Sequence, residues 1–211
     1  MATDDPRAAL LDAGERLIAD RGVYVPLRDI AAAAGQRNNS AVHYYFESRS
    51  GLLEAIVDRR MNWLEDRRMG LLAQYEAEGS AHEIRTLVAM LVAPILELIY
   101  TAQVTHYGRF LEVVRAHPVI ADARRLASTD RAAVRIIASR LDAALPQLTP
   151  RRRRQRLETM ATVLFALVAD YERALEADVR TPDPDNDTAE IIDMIVAMLT
   201  VPVREATSGG A

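Results

Sequence analysis

Apolar residues recur along this chain every three or four positions almost from end to end, the period of helices with one buried face. Alternating β-branched runs are absent, so no strand competes with that reading. The pattern predicts a first helix from about Asp5 to Asp20, turning Leu10, Leu11, Ala13, Leu17 and Ile18 inward, with Gly22 just past its end. A second runs from about Leu27 to Ala34 and is closed by Gly35; a third runs from about Asn39 to Tyr45, with Asn38 placed to cap it and Phe46 returning to the core. A fourth starts near Ser48 or Ser50 and continues to about Glu78. Ser80 and Glu83 have the spacing of a capping box for a fifth helix, which reaches about Gln103 with a kink at Pro94. A sixth spans about Thr105 to Ala116, and Pro118 opens a seventh that ends near Ala144. Thr149 and Pro150 head an eighth that extends to about Val179. After the breaker-rich TPDPDND loop, Asp187 and Glu190 suggest a capping box for a ninth, ending near Val201. The expected fold is therefore all-α with nine helices: a small N-terminal unit over 1–48, a larger helical body over 49–203, and a disordered tail over 204–211.

Composition narrows the chemistry. Half of the 211 residues are apolar but only 5% are aromatic, a balance rich in helix-forming Ala and Leu. There is no cysteine, which excludes disulfides, thiolate metal sites and cysteine nucleophiles. The N-terminus is acidic and amphipathic, unlike a signal peptide, and the most apolar window, Leu87 to Ile99, is interrupted by Pro94 and Glu97 and is short for a membrane span. A soluble cytoplasmic protein without a membrane partner is the expectation. No H-E-x-x-H, phosphate-binding glycine loop or G-x-S-x-G motif occurs, and His106 and His117 near Glu112 lack a nucleophile or a metal-ligand spacing. No enzyme activity, metal or cofactor is expected.

The third helix has an inventory unsuited to a core element: Asn39, Ser40, His43, Tyr44 and Tyr45, preceded by Asn38. The whole chain carries a net charge of −4, which does not advertise a nucleic-acid binder. Around this helix the balance reverses, with Arg21, Arg28, Arg37 and Arg49 against Asp29 and Glu47. A short helix, a tight Gly turn and a polar second helix have the layout of a helix-turn-helix, whose second helix lies in the major groove. Asn39, Ser40 and His43 on its first turns suit base edges, and Tyr44, Tyr45 and Arg49 suit phosphate oxygens, helped by the free N–H groups at the start of the fourth helix.

These residues carry a resemblance to the TetR family of bacterial transcriptional regulators: Gly22-Val23-Tyr24 in the first turn, Ile30-Ala31-Ala32-Ala33-Ala34-Gly35, Tyr44-Tyr45-Phe46, and Ser48-Arg49-Ser50-Gly51-Leu52. It is specific over residues 7–56. There are three departures. Val25-Pro26 stands where the family has a Thr or Ser cap, Arg49 replaces the usual Lys, and the Gly35-to-Phe46 spacing is one residue long. The extra residue falls within Gln36-Arg37-Asn38, which leaves open which of Arg37, Asn38 and Asn39 meets a base. The resemblance adds Arg28 as a base or phosphate contact.

The resemblance further implies a homodimer on a palindromic DNA operator, paired through the last two helices. Their apolar stripes are Leu157, Met160, Ala161, Leu164 and Val168, and Ile191, Ile192, Ile195, Val196 and Leu199. It also implies a cavity within the fourth to eighth helices for a small, largely apolar effector. The candidate lining is Trp63, Met90, Leu91, Ile95, Leu98, Gln103, His106, Tyr107, Phe110, Phe165 and Tyr171. The Arg151–Arg154 run reads either as a solvated face or as an anion site. The expected function is a ligand-responsive repressor, with an activator equally compatible with the sequence. The rival is an all-helical small-molecule binder or enzyme with no DNA role.

Overall fold

A computed structural model describes residues 5–38, 40–101, 105–115, 117, 131–179 and 181–203. The described residues form nine helices and no strand: α1 (Pro6–Arg21), α2 (Leu27–Ala33), α3 (Ala41–Phe46), α4 (Arg49–Glu78), α5 (Ile84–Thr101), α6 (Tyr107–Val114), α7 (Ala132–Ala143), α8 (Pro150–Glu176) and α9 (Pro184–Thr200). Helices α1 to α3 make a small headpiece seated on the start of α4. The remainder of α4 runs on into the body, where it packs on α5 and α7. One apolar cluster extends through both parts, from Leu10 and Ile18 in α1 to Leu199 in α9.

Several helix starts follow the sequence signals. Asp5 Oδ1 accepts from the Arg7 N–H at 2.9 Å, Ser48 Oγ from Gly51 at 3.0 Å, and Thr149 Oγ1 from Arg152 at 3.4 Å. Two expected capping boxes are replaced. Ser80 to Glu83 closes as a backbone turn, the Glu83 N–H donating to Ser80 O at 3.1 Å, and α5 begins only at Ile84. Asp183, not Asp187, caps α9; Asp187 lies inside the helix, buried, where it accepts from the Tyr100 hydroxyl at 2.8 Å and from Tyr171. An acidic side chain at cap spacing near a helix start here serves a tertiary bond instead of a local cap. Pro118 and the predicted first half of the seventh helix, like the tail over 204–211, lie outside the described residues.

Helix α5 is longer than the apolar window suggested. Its 18 residues, with mean hydropathy 1.7, are by length and composition enough to cross a membrane. It nevertheless holds Pro94, and it packs against α4, α7, α8 and α9, as a central core helix does.

The headpiece is clamped to α4 by charge. Glu15, buried in α1, accepts two bonds from Arg60, Nε at 2.8 Å and Nη2 at 2.9 Å, while Arg59 reaches Asp12 at 2.7 Å. A second link runs through α6. Its opening N–H groups, of Gly108 and Arg109, both donate to the buried carboxylate of Glu172 on α8 at 2.9 Å. The Arg109 side chain then reaches Asp20 on α1 at 3.3 Å and Glu176 on α8 at 2.8 Å. Gly108 allows the close approach: a Cβ there would stand 2.6 Å from Val168 Cγ1 and 3.1 Å from its backbone carbon.

Gly108→Ala is therefore expected to lower stability by roughly 2–3 kcal/mol, read by urea unfolding; an unchanged midpoint would show that α6 and α8 can part freely. Burial lifts the Glu172 carboxyl to about 7 from 4.5, outweighing the two N–H bonds that favour its ionised form. A raised carboxyl stabilises the fold fully below about 4.5 and loses that contribution as pH rises through about 7. Relative to Glu172→Gln, the wild type should lose up to about 3 kcal/mol between those limits. Parallel pH profiles for the two proteins would contradict this.

Candidate nucleic-acid interface and cavity

Burial splits the headpiece cleanly. Ile30 and Ala31 of α2 and Ala41, Val42 and Phe46 of α3 point into the core, so α3 turns Ser40, His43, Tyr44 and Tyr45 outward. Tyr44 is 81% exposed and stacks edge-to-face on Tyr45 with ring centroids 4.9 Å apart. Helix α3 begins at Ala41, later than expected, with Ser40 and not Asn38 at the cap position and no side-chain cap bond; Asn38 orders the preceding turn instead, its Oδ1 accepting the Ser40 N–H at 2.9 Å. At its far end Glu47 takes a positive φ of 61°, and Gly51 of α4 lies against the Phe46 carbonyl, where a Cβ would come within 2.1 Å of the oxygen. No residue but glycine fits there, so the angle between α3 and α4 is fixed by backbone contact.

The candidate contacts separate into three groups. Arg28, Arg37, Asn38, Ser40, His43, Tyr44 and Tyr45 all lie exposed, on α2, α3 and the turn between them. Asn39 lies outside the described residues. Arg49 is half-buried and committed within the protein, its Nη1 donating to the Val23 and Val25 carbonyls at 2.7 Å each. It holds the α1–α2 turn to the start of α4. His43 donates from Nδ1 to the Glu47 carbonyl at 2.9 Å, since a carbonyl can only accept; in the neutral ring Nε2 is then an acceptor facing solvent. The sequence reading passed over Tyr24, 82% exposed in the same turn. An aromatic just after a helix-ending glycine was the available signal.

An apolar cavity of about 230 Å³ lies between α4, α5, α6, α7 and α8. Of the proposed pocket residues, Leu91, Ile95 and Phe165 line it. Met90, Leu98, Tyr107 and Phe110 are buried core outside its wall. Trp63 is half-exposed on α4, Gln103 lies outside the described residues, and Tyr171 is engaged with Tyr100 and Asp187. His106 sits at the start of α6 against the Arg109 guanidinium; burial, with that cation alongside, pulls its pKa down. Among the lining residues that sequence reasoning missed, Met61, Leu64, Leu111, Val134, Ala138 and Leu141 are apolar and one is charged: Arg68, on the inward stripe of α4 between Leu64 and Leu72.

The α8 stripe assigned to a partner faces inward instead. Leu157, Met160, Ala161 and Leu164 line the cavity, and Val168 packs beside Gly108. Ile191, Ile192, Ile195 and Leu199 of α9 are buried in the same chain, with Val196 packed at their edge. Helical spacing identifies a buried face but not which surface buries it. In the Arg151–Arg154 run, Arg153 pairs with Asp142 at 3.0 Å and the other three are exposed.

No curated protein matches the sequence significantly. Solved structures do share the fold. NalD of Pseudomonas aeruginosa, the secondary repressor of the MexAB-OprM multidrug efflux pump, aligns over 90% of this chain and 94% of its own with TM-score 0.54 and 22% identity. AmtR of Mycobacterium smegmatis aligns over 96% and 89% with TM-score 0.56 and 18% identity. The TetR-like transcriptional regulator LfrR of Mycobacterium smegmatis, solved in complex with proflavine, aligns over 95% and 97% with TM-score 0.52 and 26% identity. The model of bacterial regulatory proteins of the tetR family matches residues 10–56, and that of the tetracyclin repressor-like C-terminal domain matches residues 89–200. With the headpiece and more than half of the chain so matched, the protein belongs to the TetR family of bacterial regulatory proteins and is a DNA-binding transcriptional regulator.

Proposed function

We propose that this regulator is a cytoplasmic, homodimeric repressor that leaves a palindromic operator when a small, largely apolar effector fills its cavity. The observation that carries the reading is the outward face of α3, polar and aromatic on a helix whose other face is wholly buried. Ser40 and His43 would read base edges in the major groove, His43 by accepting from an exocyclic amine at Nε2. Tyr44, Tyr45 and Arg28 would hold phosphates, with Arg37 and Asn38 at the edge of the contact. Residues 1–48 would form the reading head and 49–203 the regulatory body. A two-fold dimer would set two such heads about 34 Å apart or a multiple of it, one helical turn of DNA. With the inward stripes of α8 and α9 occupied, the surface left for a partner is their outer side, where Val163, Leu167 and Met194 remain at least partly exposed.

Effector release follows from where the cavity lies. Met61 and Leu64 of α4 and Leu111 of α6 form part of its wall, and both helices contact α1. A ligand that prefers one spacing of these helices shifts the heads toward a separation the operator does not fit, and affinity falls by linkage.

A gel shift with the DNA upstream of the protein's own gene tests the operator. The wild type should bind at low salt and weaken as salt rises. His43→Ala and Tyr44→Ala should each weaken binding by about tenfold to a hundredfold at unchanged thermal midpoint. A wild type that gives no specific shift, or variants that bind as well as it does, would end the assignment of α3. Sedimentation velocity tests the dimer: the wild type should run as a dimer and Met194→Arg as a monomer, and a monomeric wild type would remove the two-fold model.

A further inference from the structure

The cavity wall holds a single polar side chain among the described residues, that of Arg68. Its position is unusual, since Leu64, Arg68 and Leu72 follow one another at four-residue spacing on the buried face of α4. Arg68 is only 4% exposed. One Nη2–H donates to the Leu91 carbonyl at 3.2 Å, while Nε is buried with no hydrogen-bond partner among the described residues. No carboxylate of the described residues lies within ion-pairing distance of this guanidinium, although fifteen other arginine contacts with carboxylates exist among the described residues.

Glu65 of α4 stands near enough to favour the charged guanidinium but makes no ion pair with it: Oε1 accepts the Ala133 N–H at 2.6 Å, at the head of α7, and Oε2 is buried without a hydrogen-bond partner among the described residues. Arg131, a like charge nearby, pairs with Asp58 at 2.9 Å. Burial pulls Arg68 down to about 10, which still leaves it charged at neutral pH. A buried guanidinium with no carboxylate in direct contact is costly, and an anion brought to it recovers much of that cost through charge-assisted bonds.

Taking the cavity as the effector site, we propose that the effector is an apolar monoanion, a slender hydrocarbon or aryl body ending in a carboxylate that meets the Arg68 guanidinium. The hydrocarbon lies between Leu91 and Ile95 of α5, Leu141 of α7 and Leu157, Leu164 and Phe165 of α8. At the interior packing density of about 0.74, a 230 Å³ cavity accommodates roughly ten non-hydrogen atoms. That is the size of a medium-chain or simple aryl carboxylate. Guanidinium and carboxylate match as a forked donor set and a two-oxygen acceptor, whereas an alcohol offers one oxygen and a cation is repelled.

Isothermal titration of the full-length protein with octanoate, 1-octanol and octylammonium, each below its aggregation concentration, tests the assignment. Octanoate should bind at least tenfold more tightly than octanol, and octylammonium should not bind. In Arg68→Met that preference should vanish, with octanol binding as well as octanoate. If octanol equals octanoate on the wild type, or the preference survives in Arg68→Met, the anion assignment falls and the cavity reading stands. If none of the three binds, both fall. Should Arg68→Met fail to fold, octanoate labelled with ¹³C at the carboxyl decides on the wild type. The bound carboxyl should titrate at lower pH than the free acid; a rise would mean burial without a cation and would overturn the assignment.

Discussion

The Glu172 carboxylate meets two N–H groups that no residue of their own helix can satisfy, and the arrangement of the body follows from that bond pair. A short helix such as α6 has little stability of its own; its place is given by what receives its ends. Here the receiver is a buried side chain of α8, with Gly108 against Val168 as the steric counterpart. Once α6 is fixed on α8, its remaining face is presented to α1, and Arg109 spans Asp20 and Glu176 across the junction. The cavity wall and the headpiece thus share an element whose position neither controls alone.

Helix α4 is the other shared element, and its two ends do different work. Near its start, Gly51 and Arg49 hold α3 and the α1–α2 turn by contacts with backbone atoms. About two to three turns further in, Arg59 and Arg60 hold α1 by its carboxylates. Beyond these, Met61, Leu64 and Arg68 face the cavity. Polar contacts fix the headpiece, and nearly pure dispersion lines the cavity. The second is the more adaptable, because apolar side chains can repack around different shapes at modest cost.

The all-α fold and most helix boundaries could be read from the sequence, because period 3.6 and helix-terminating glycines report burial and backbone geometry directly. The outward set on α3 was readable for the same reason: His43, Tyr44 and Tyr45 interrupt an otherwise apolar pattern. What the pattern does not encode is the identity of the neighbour. Leu157, Met160 and Leu164 look alike whether they meet a second chain or a cavity in their own, and only the packed structure assigns them. Asp187 looked like a cap because its spacing was right, yet two tyrosines distant in sequence claim it. Arg68 was passed over for the opposite reason. A single arginine reads as surface until its neighbours four residues away on either side are seen to be buried leucines.

The glycine contact at Gly51 bears on how movement is transmitted. With α3 seated on α4 by backbone, the headpiece cannot swivel independently, and α4 acts as a rigid arm. From Arg68 to Arg49 that arm spans about 28 Å at 1.5 Å per residue. A tilt of about five degrees pivoting at the cavity moves the far end by about 2 Å, an amplification that comes from length alone. Small repacking around a bound molecule therefore becomes a displacement comparable to the tolerance of a hydrogen bond. In this protein, sensitivity is a matter of leverage, set by how far along one helix the cavity stands from the residues it governs.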